Sequence, residues 1–246
     1  MEGLVTLTPG KEKEIHDERR FVLGQLGLGS DGSFYRYVLA GGSNVSAGKL
    51  VQGPAVGANF DELVTAAAAV GATSIAITNG ATAITADMFL NGKVIVEDDA
   101  GEGHAYLLGP HPAVDASAVY TATLAPGESV KVAITAATTC ALVRNPCAAV
   151  IIQPSPPTTK ALGVTTTALT AGDYGWLQCT GLGAGLADGT LVVGKSVMAS
   201  DSVDGAVEDA ILAEGTPNTL FNSQIVGVCH EVAADTEHST ILLALL

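Results

Sequence analysis

Runs of about five β-branched or apolar residues recur along this chain, and a turn built on Gly, Pro or Asn-Gly interrupts them about every 8–12 residues. That spacing marks all-β sandwiches and barrels. Ala, Gly, Thr and Val dominate, aromatics are only 4%, and 29 glycines with 10 prolines supply the turns. Such a composition suits many short strands better than a helical bundle. The expected strands are 33–40, 48–52, 73–78, 93–97, 105–108, 118–124, 130–135, 141–143 and 148–153. After them come 162–166, 175–179, 190–193, 224–229 and 240–245. The fold class expected is all-β, short-stranded β-barrel or sandwich modules with few helices. Residues 60–70 read either as a short helix ended by Gly71 or as a small-residue linker.

Residues 1–20 hold the only dense charge block, Lys11 to Arg20, and read as a charged N-terminal arm or short helix, solvated or docked on a neighbouring subunit. A G-x-L-V-x-G pattern occurs at Gly48–Gly53 and again at Gly189–Gly194. It suggests that 21–57 and 161–246 share one β-barrel or sandwich, with 58–153 inserted as a second β module. Pro154, Pro156 and Pro157 make 154–160 the clearest linker, because proline cannot donate to a strand ladder. A simple split at that linker is the alternative.

The segment Gly189-Thr190-Leu191-Val192-Val193-Gly194-Lys195-Ser196 fits G-x-x-x-x-G-K-[ST] letter for letter. A phosphate loop works by presenting backbone N–H groups between a buried strand and a helix N-terminus. Here Thr190, Val192 and Val193 favour extended backbone, 181–188 reads as a loop, and 197–205 carries no helical apolar period. Gly48–Gly53 has the same shape with no Lys-Ser after it. Both copies read as a turn feeding a short strand. Nucleotide binding through 189–196 and Lys195 stands only as an alternative of another class.

The 25 acidic and 11 basic residues give a net charge of −14, with seven basic residues spread beyond the arm. Phosphate contacts drive nucleic-acid affinity, so DNA or RNA is not an expected partner, nor is an anionic membrane. The first residues show neither a basic n-region nor a long apolar core, and 241–246 is far short of a span; folding in the cytosol is expected. Cys140, Cys147, Cys179 and Cys229 form no C-x-x-C pair and read as small buried residues, a Cys140–Cys147 disulfide being the lesser option. His230-Glu231 and Glu237-His238 miss the H-E-x-x-H spacing. Glu97, Asp98, Asp99 and Glu102 read as a solvated acidic turn without EF-hand spacing, and His104 with His111 make a weak metal set. No G-x-S-x-G elbow is present. No residue is assigned a catalytic, cofactor-binding or metal role, and the chain is not expected to be an enzyme. Trp176, beside Tyr174 and Gly175, is expected in the core, and 34–37 and 241–246 in core or interface strands.

Several ordered stretches resemble a family of tailed-bacteriophage virion proteins. They are 34–52 (FYRYVLAGGSNVSAGKLVQ), the alanine run leading into 71–82, 91–104 (NGKVIVEDDAGEGH), 111–116 (HPAVDA), Asn145-Pro146, 173–178 (DYGWLQ) and 205–207. The resemblance covers most of 21–246, and the order of the motifs carries it more than any one of them. It implies a structural protein of the phage particle, of the head-decoration or cement type, on the capsid exterior. It also implies a β-rich homotrimer with the major capsid protein as partner, made in the host cytoplasm. A tail or fibre component is the alternative it leaves open.

Overall fold

The computed structural model describes residues 3–55, 57–210 and 224–246, so part of the expected 161–246 portion, 211–223, lies outside the described residues. The protein is all-β, with 42% of its residues in strands and no α-helix among the described residues. The first strands are β1 (Val5–Leu7), β2 (Leu26–Gly29), β3 (Phe34–Leu39) and β4 (Leu50–Gln52). Next come β5 (Leu63–Val64), β6 (Ser74–Thr78), β7 (Lys93–Asp98), β8 (Ala105–Leu107), β9 (Val119–Thr123) and β10 (Thr139–Val143). The last are β11 (Ile151–Ile152), β12 (Ala161–Thr165), β13 (Tyr174–Gln178), β14 (Thr180–Ala187), β15 (Ser196–Ala199), β16 (Ala206–Asp209), β17 (Ile225–Glu231) and β18 (His238–Ala244). The chain forms two compact units, Met1–Ala55 with Pro146–Leu246, and Val56–Asn145.

The first unit contains a seven-stranded sheet, ordered β1-β2-β3-β13-β12-β4-β11, and a closed barrel, β14-β16-β15-β17-β18. In the sheet only β1 and β2 run parallel. Two of its inner strands, β4 and β12, are buried on both faces. On one side Leu50, Ala161 and Val164 join the barrel residues Val197, Val207, Val226, Ile241 and Leu243 in a common core. Near β1, Trp176 is 2% exposed and lies 5.0 Å from Tyr37 and 5.2 Å from Phe21, ring centre to ring centre. Those separations suit tilted aromatic packing.

The second unit is one long antiparallel hairpin. β5 pairs with β10, β6 with β9 and β7 with β8, and single bridges, Ala68 to Ile134 and Ile84 to Val114, continue the ribbon between them. The ribbon rolls up so that β7 also pairs with β10. Ile75, Ile77, Phe89, Val94, Tyr106 and Tyr120 fill its interior. Each bend carries one local device, an aliphatic residue followed by Ser, Thr or Asp, then Ala, then a turn residue. It occurs at Val45, Ile84, Val114, Ile134 and Leu169. The fourth position has positive φ at Gly48, Asp87, Ser117 and Gly172. Val45 and Leu169 bridge each other in the first unit as Ile84 and Val114 do in the second. The aliphatic residue makes one antiparallel bridge, and the left-handed residue then redirects the chain into the next strand.

Several elements differ from those expected. Residues 181–188 read as a loop, yet 180–187 is the longest strand of the chain among the described residues. Its inward positions are Gly183 and Gly185, and its outward ones Leu182 and Ala184, so the usual apolar-in alternation is inverted. A Cβ at Gly183 would come within 2.7 Å of Leu243 Cδ1, and one at Gly185 within 3.1 Å of Ile241 Cγ1. The partner strand fills the barrel across the bare backbone. Residues 190–193 form a turn, not a strand; the next strand begins at Ser196. Residues 130–135 supply only the Ile134 bridge, and 60–70 are a 3₁₀ turn, β5 and bridges in place of a helix.

The boundaries also shift. Residues 146–153 belong to the first unit, where β11 pairs with β4. The proline segment 154–160 joins two strands that both pair with β4. It is tied down by buried Gln52, whose Oε1 accepts the Thr158 and Thr159 N–H groups at 3.3 and 3.2 Å. The arm is laid onto the sheet by β1 and by a reciprocal backbone pair between His16 and Tyr174.

Gly227 tests the close approach of backbones in the barrel. A Cβ there would sit 2.1 Å from the Leu242 carbonyl oxygen, a main-chain atom that cannot swing aside. Gly227→Ala is expected to cost about 1–3 kcal/mol in denaturant unfolding. Gly42→Ala, where a Cβ meets nothing within 4 Å, should stay within about 0.5 kcal/mol of the parent.

Candidate functional site

The Gly189–Ser196 loop connects two barrel strands, and Lys195 leads directly into strand β15, at the point where a phosphate loop requires a helix. Four of its backbone donors are already engaged. Gly189 N–H donates to Asp235 Oδ1 at 2.8 Å and Val192 N–H to Asp209 Oδ1 at 3.1 Å. Gly194 N–H donates to the Cys229 carbonyl and Lys195 N–H to that of Val192. The Lys195 ammonium lies 3.6 Å from Asp209 Oδ2. Beside the loop a hollow of about 530 Å³ is lined by Asp188, Asp201, Glu208 and Asp209. Burial, then Asp201 and Asp188, push the Glu208 carboxyl above its ordinary value. Four carboxylates around one hollow repel a polyphosphate. Ser200 and Ser202 hydroxyls donate to Asp188 Oδ2 at 2.5 and 2.6 Å and tie the neighbouring turn to it.

The acidic turn after β7 is held by local hydrogen bonds. Asp99 Oδ2 accepts the Thr135 hydroxyl at 2.5 Å, which holds its carboxyl below the usual range. Glu97 Oε2 accepts the Glu62 N–H at 3.1 Å, and burial, followed by Asp61, raises its carboxyl. His104 Nδ1 lies 2.9 Å from the Gly101 carbonyl. His111 is buried elsewhere in that unit, where its Nε2 accepts the Phe89 N–H at 3.0 Å and its Nδ1 faces the Pro112 carbonyl at 2.9 Å. It braces a turn. Near the C-terminus, Glu231 accepts the Thr240 hydroxyl and Glu237 accepts the Ala234 N–H. Among the described residues no group of three or more His, Cys, Asp or Glu is placed to hold a metal ion.

The four cysteines are buried thiols. Burial pushes Cys140 up to about 12 and Cys147 up to about 11, leaving little thiolate at neutral pH.

The outer wall of the barrel carries what sequence reasoning missed. Leu182, Leu242 and Val228 stand directly opposite one another on β14, β18 and β17, and are 53%, 48% and 37% exposed. The signal was present in β18, where the continuous apolar run 241–245 gives both faces of one strand aliphatic side chains. Ile241, Leu243 and Leu245 point inward and leave Leu242 outside. Comparison with protein-family models, with curated proteins and with solved structures gives no match.

Saturating Mg-ATP is expected to leave the melting temperature unchanged. A site filled at 100 times its dissociation constant would add about 2.7 kcal/mol, an easily seen rise. A rise that disappears in Lys195→Ala would contradict this account of the loop.

Proposed function

We propose that this chain is a structural protein of a tailed-bacteriophage particle, a decoration or cement protein that binds the outer surface of the head as a homotrimer. Its partner is the major capsid protein, and its work is binding, without catalysis. The observation that carries the reading is the aliphatic row Leu182–Leu242–Val228, aligned in register across three strands. A chain at net charge −14 repels its own copies across its acidic surface, and an uncharged apolar row is a face where subunits can meet. Acidic charge also favours the outside of a DNA-filled shell, where no phosphate need be contacted. The ordered sequence resemblance supports the same reading.

The test uses purified protein and DNA-free heads. Saturable co-sedimentation with the shells is expected, and failure to bind them at any ratio contradicts the proposal. In light scattering after size exclusion the parent should run as a trimer. Leu182→Asp with Leu242→Asp should run as a monomer with an unchanged far-ultraviolet spectrum, because both side chains point away from the core. A trimer that survives both changes places the subunit contact elsewhere.

A further inference from the structure

The N-terminal arm covers the aromatic end of the seven-stranded sheet incompletely. It leaves the sheet edge after β1, makes a 3₁₀ turn at Lys11–Lys13 and returns to bridge Tyr174 through His16. The Thr166 hydroxyl donates to the Glu12 carbonyl at 2.7 Å and fixes the crossing. Beneath the arm lies a pocket of about 290 Å³, with an apolar floor of Leu7, Phe21 and Trp176. Its rim carries Lys11, His16 and Arg20, with Glu14 as the one carboxylate. Glu14 is engaged by Lys11 at 2.5 Å, and His16 and Arg20 lie near enough to help hold its carboxyl low. Among the described residues the ion pairs are Lys11–Glu14 and Lys195–Asp209, so Arg20 is in neither.

The charge of this pocket runs against that of the chain. In a protein with 25 acids and 11 bases, two bases and a histidine ring an apolar floor and face a single, already paired acid. Apolar pockets with a few convergent polar groups are the usual form of ligand sites, and this one is near the lower end of their size range, about 300 Å³. It has room for one aromatic or branched side chain. Arginine is the side chain best shaped to take a carboxylate in two parallel hydrogen bonds.

We infer that this pocket binds a ligand joining an apolar group to a carboxylate, the apolar group resting on Trp176, Phe21 and Leu7 and the carboxylate on Arg20. A free arylalkyl acid and the C-terminal residue of a peptide share that chemistry. The site is independent of any role on a phage head.

Trp176 is the only tryptophan, so its emission reports directly on the floor of the pocket. The full chain is titrated with 4-phenylbutyrate, with the neutral 4-phenylbutanol, and with a short Gly/Ser peptide ending in phenylalanine, as free acid and as amide. A saturable emission change is expected with an acid, with affinity at least about tenfold weaker for its neutral counterpart. Arg20→Gln should weaken the acid by a similar factor with an unchanged melting temperature, since Arg20 is exposed. Arg19→Gln, outside the pocket, should change nothing. Binding of the peptide acid alone identifies a chain terminus as the source, and binding of phenylbutyrate alone a free acid. Three results would overturn the proposal: no saturable change with either acid to about 10 mM, equal affinity for acid and neutral forms, or full affinity in Arg20→Gln.

Discussion

In this protein large side chains are laid across bare backbone. Leu243 and Ile241 on β18 reach over Gly183 and Gly185 on β14, and Leu7 and Trp176 close on Gly27 of β2 in the same way. With aromatics at 4% of the chain, the interior is filled by bringing main chains close enough for a few leucines, isoleucines and one tryptophan to span the gap. Glycine within a strand costs conformational entropy and offers nothing to pack. The barrel recovers that loss through side chains arriving from the facing strand. The same arrangement leaves Leu182 outside, next to the inward Gly183, so the interior packing and the exposed aliphatic row share one cause.

A second constraint shapes the rest. Two-stranded ribbons gain a closed core only by bending, and the recurring segments at Val45, Ile84, Val114, Ile134 and Leu169 are where they bend. Asp87 and Ser117 take the left-handed conformation that Gly48 and Gly172 take at equivalent points, and Asp87 Oδ1 accepts the His111 N–H at 3.0 Å. One short pattern therefore serves in both units, and each time the aliphatic residue crosses the ribbon to a bridge partner.

The all-β class and most strand positions were legible, because β-branched runs bounded by Gly and Asn-Gly turns are a local property. Residues 93–97, 175–179 and 240–245 fall where their composition puts them. β14 was hidden because its inward residues are glycines, whose value depends on Leu243 and Ile241, about sixty residues away. Thr190, Val192 and Val193 favour extended backbone by themselves, but Asp209 and Asp235 hold that segment as a turn. The bend pattern was readable from the letters as a spaced repeat. The run 241–245 showed that one strand would leave an aliphatic side chain outside, but neither surface feature could be assembled from local sequence. The Leu182–Leu242–Val228 row depends on strand register, and the pocket at Arg20 depends on where the arm crosses the sheet.

An all-β framework, an uncharged outer row and an acidic remainder together support the proposed role, a protein that adds to a preformed shell. Stoichiometry separates this role from others, since a decoration protein occupies every equivalent site of a lattice. Quantitative mass spectrometry of purified particles, giving copies of this chain per major capsid protein, tests that role most directly. A ratio near one, or a simple fraction of it, is expected for a shell-wide decoration protein. A handful of copies per particle, or none, would contradict it.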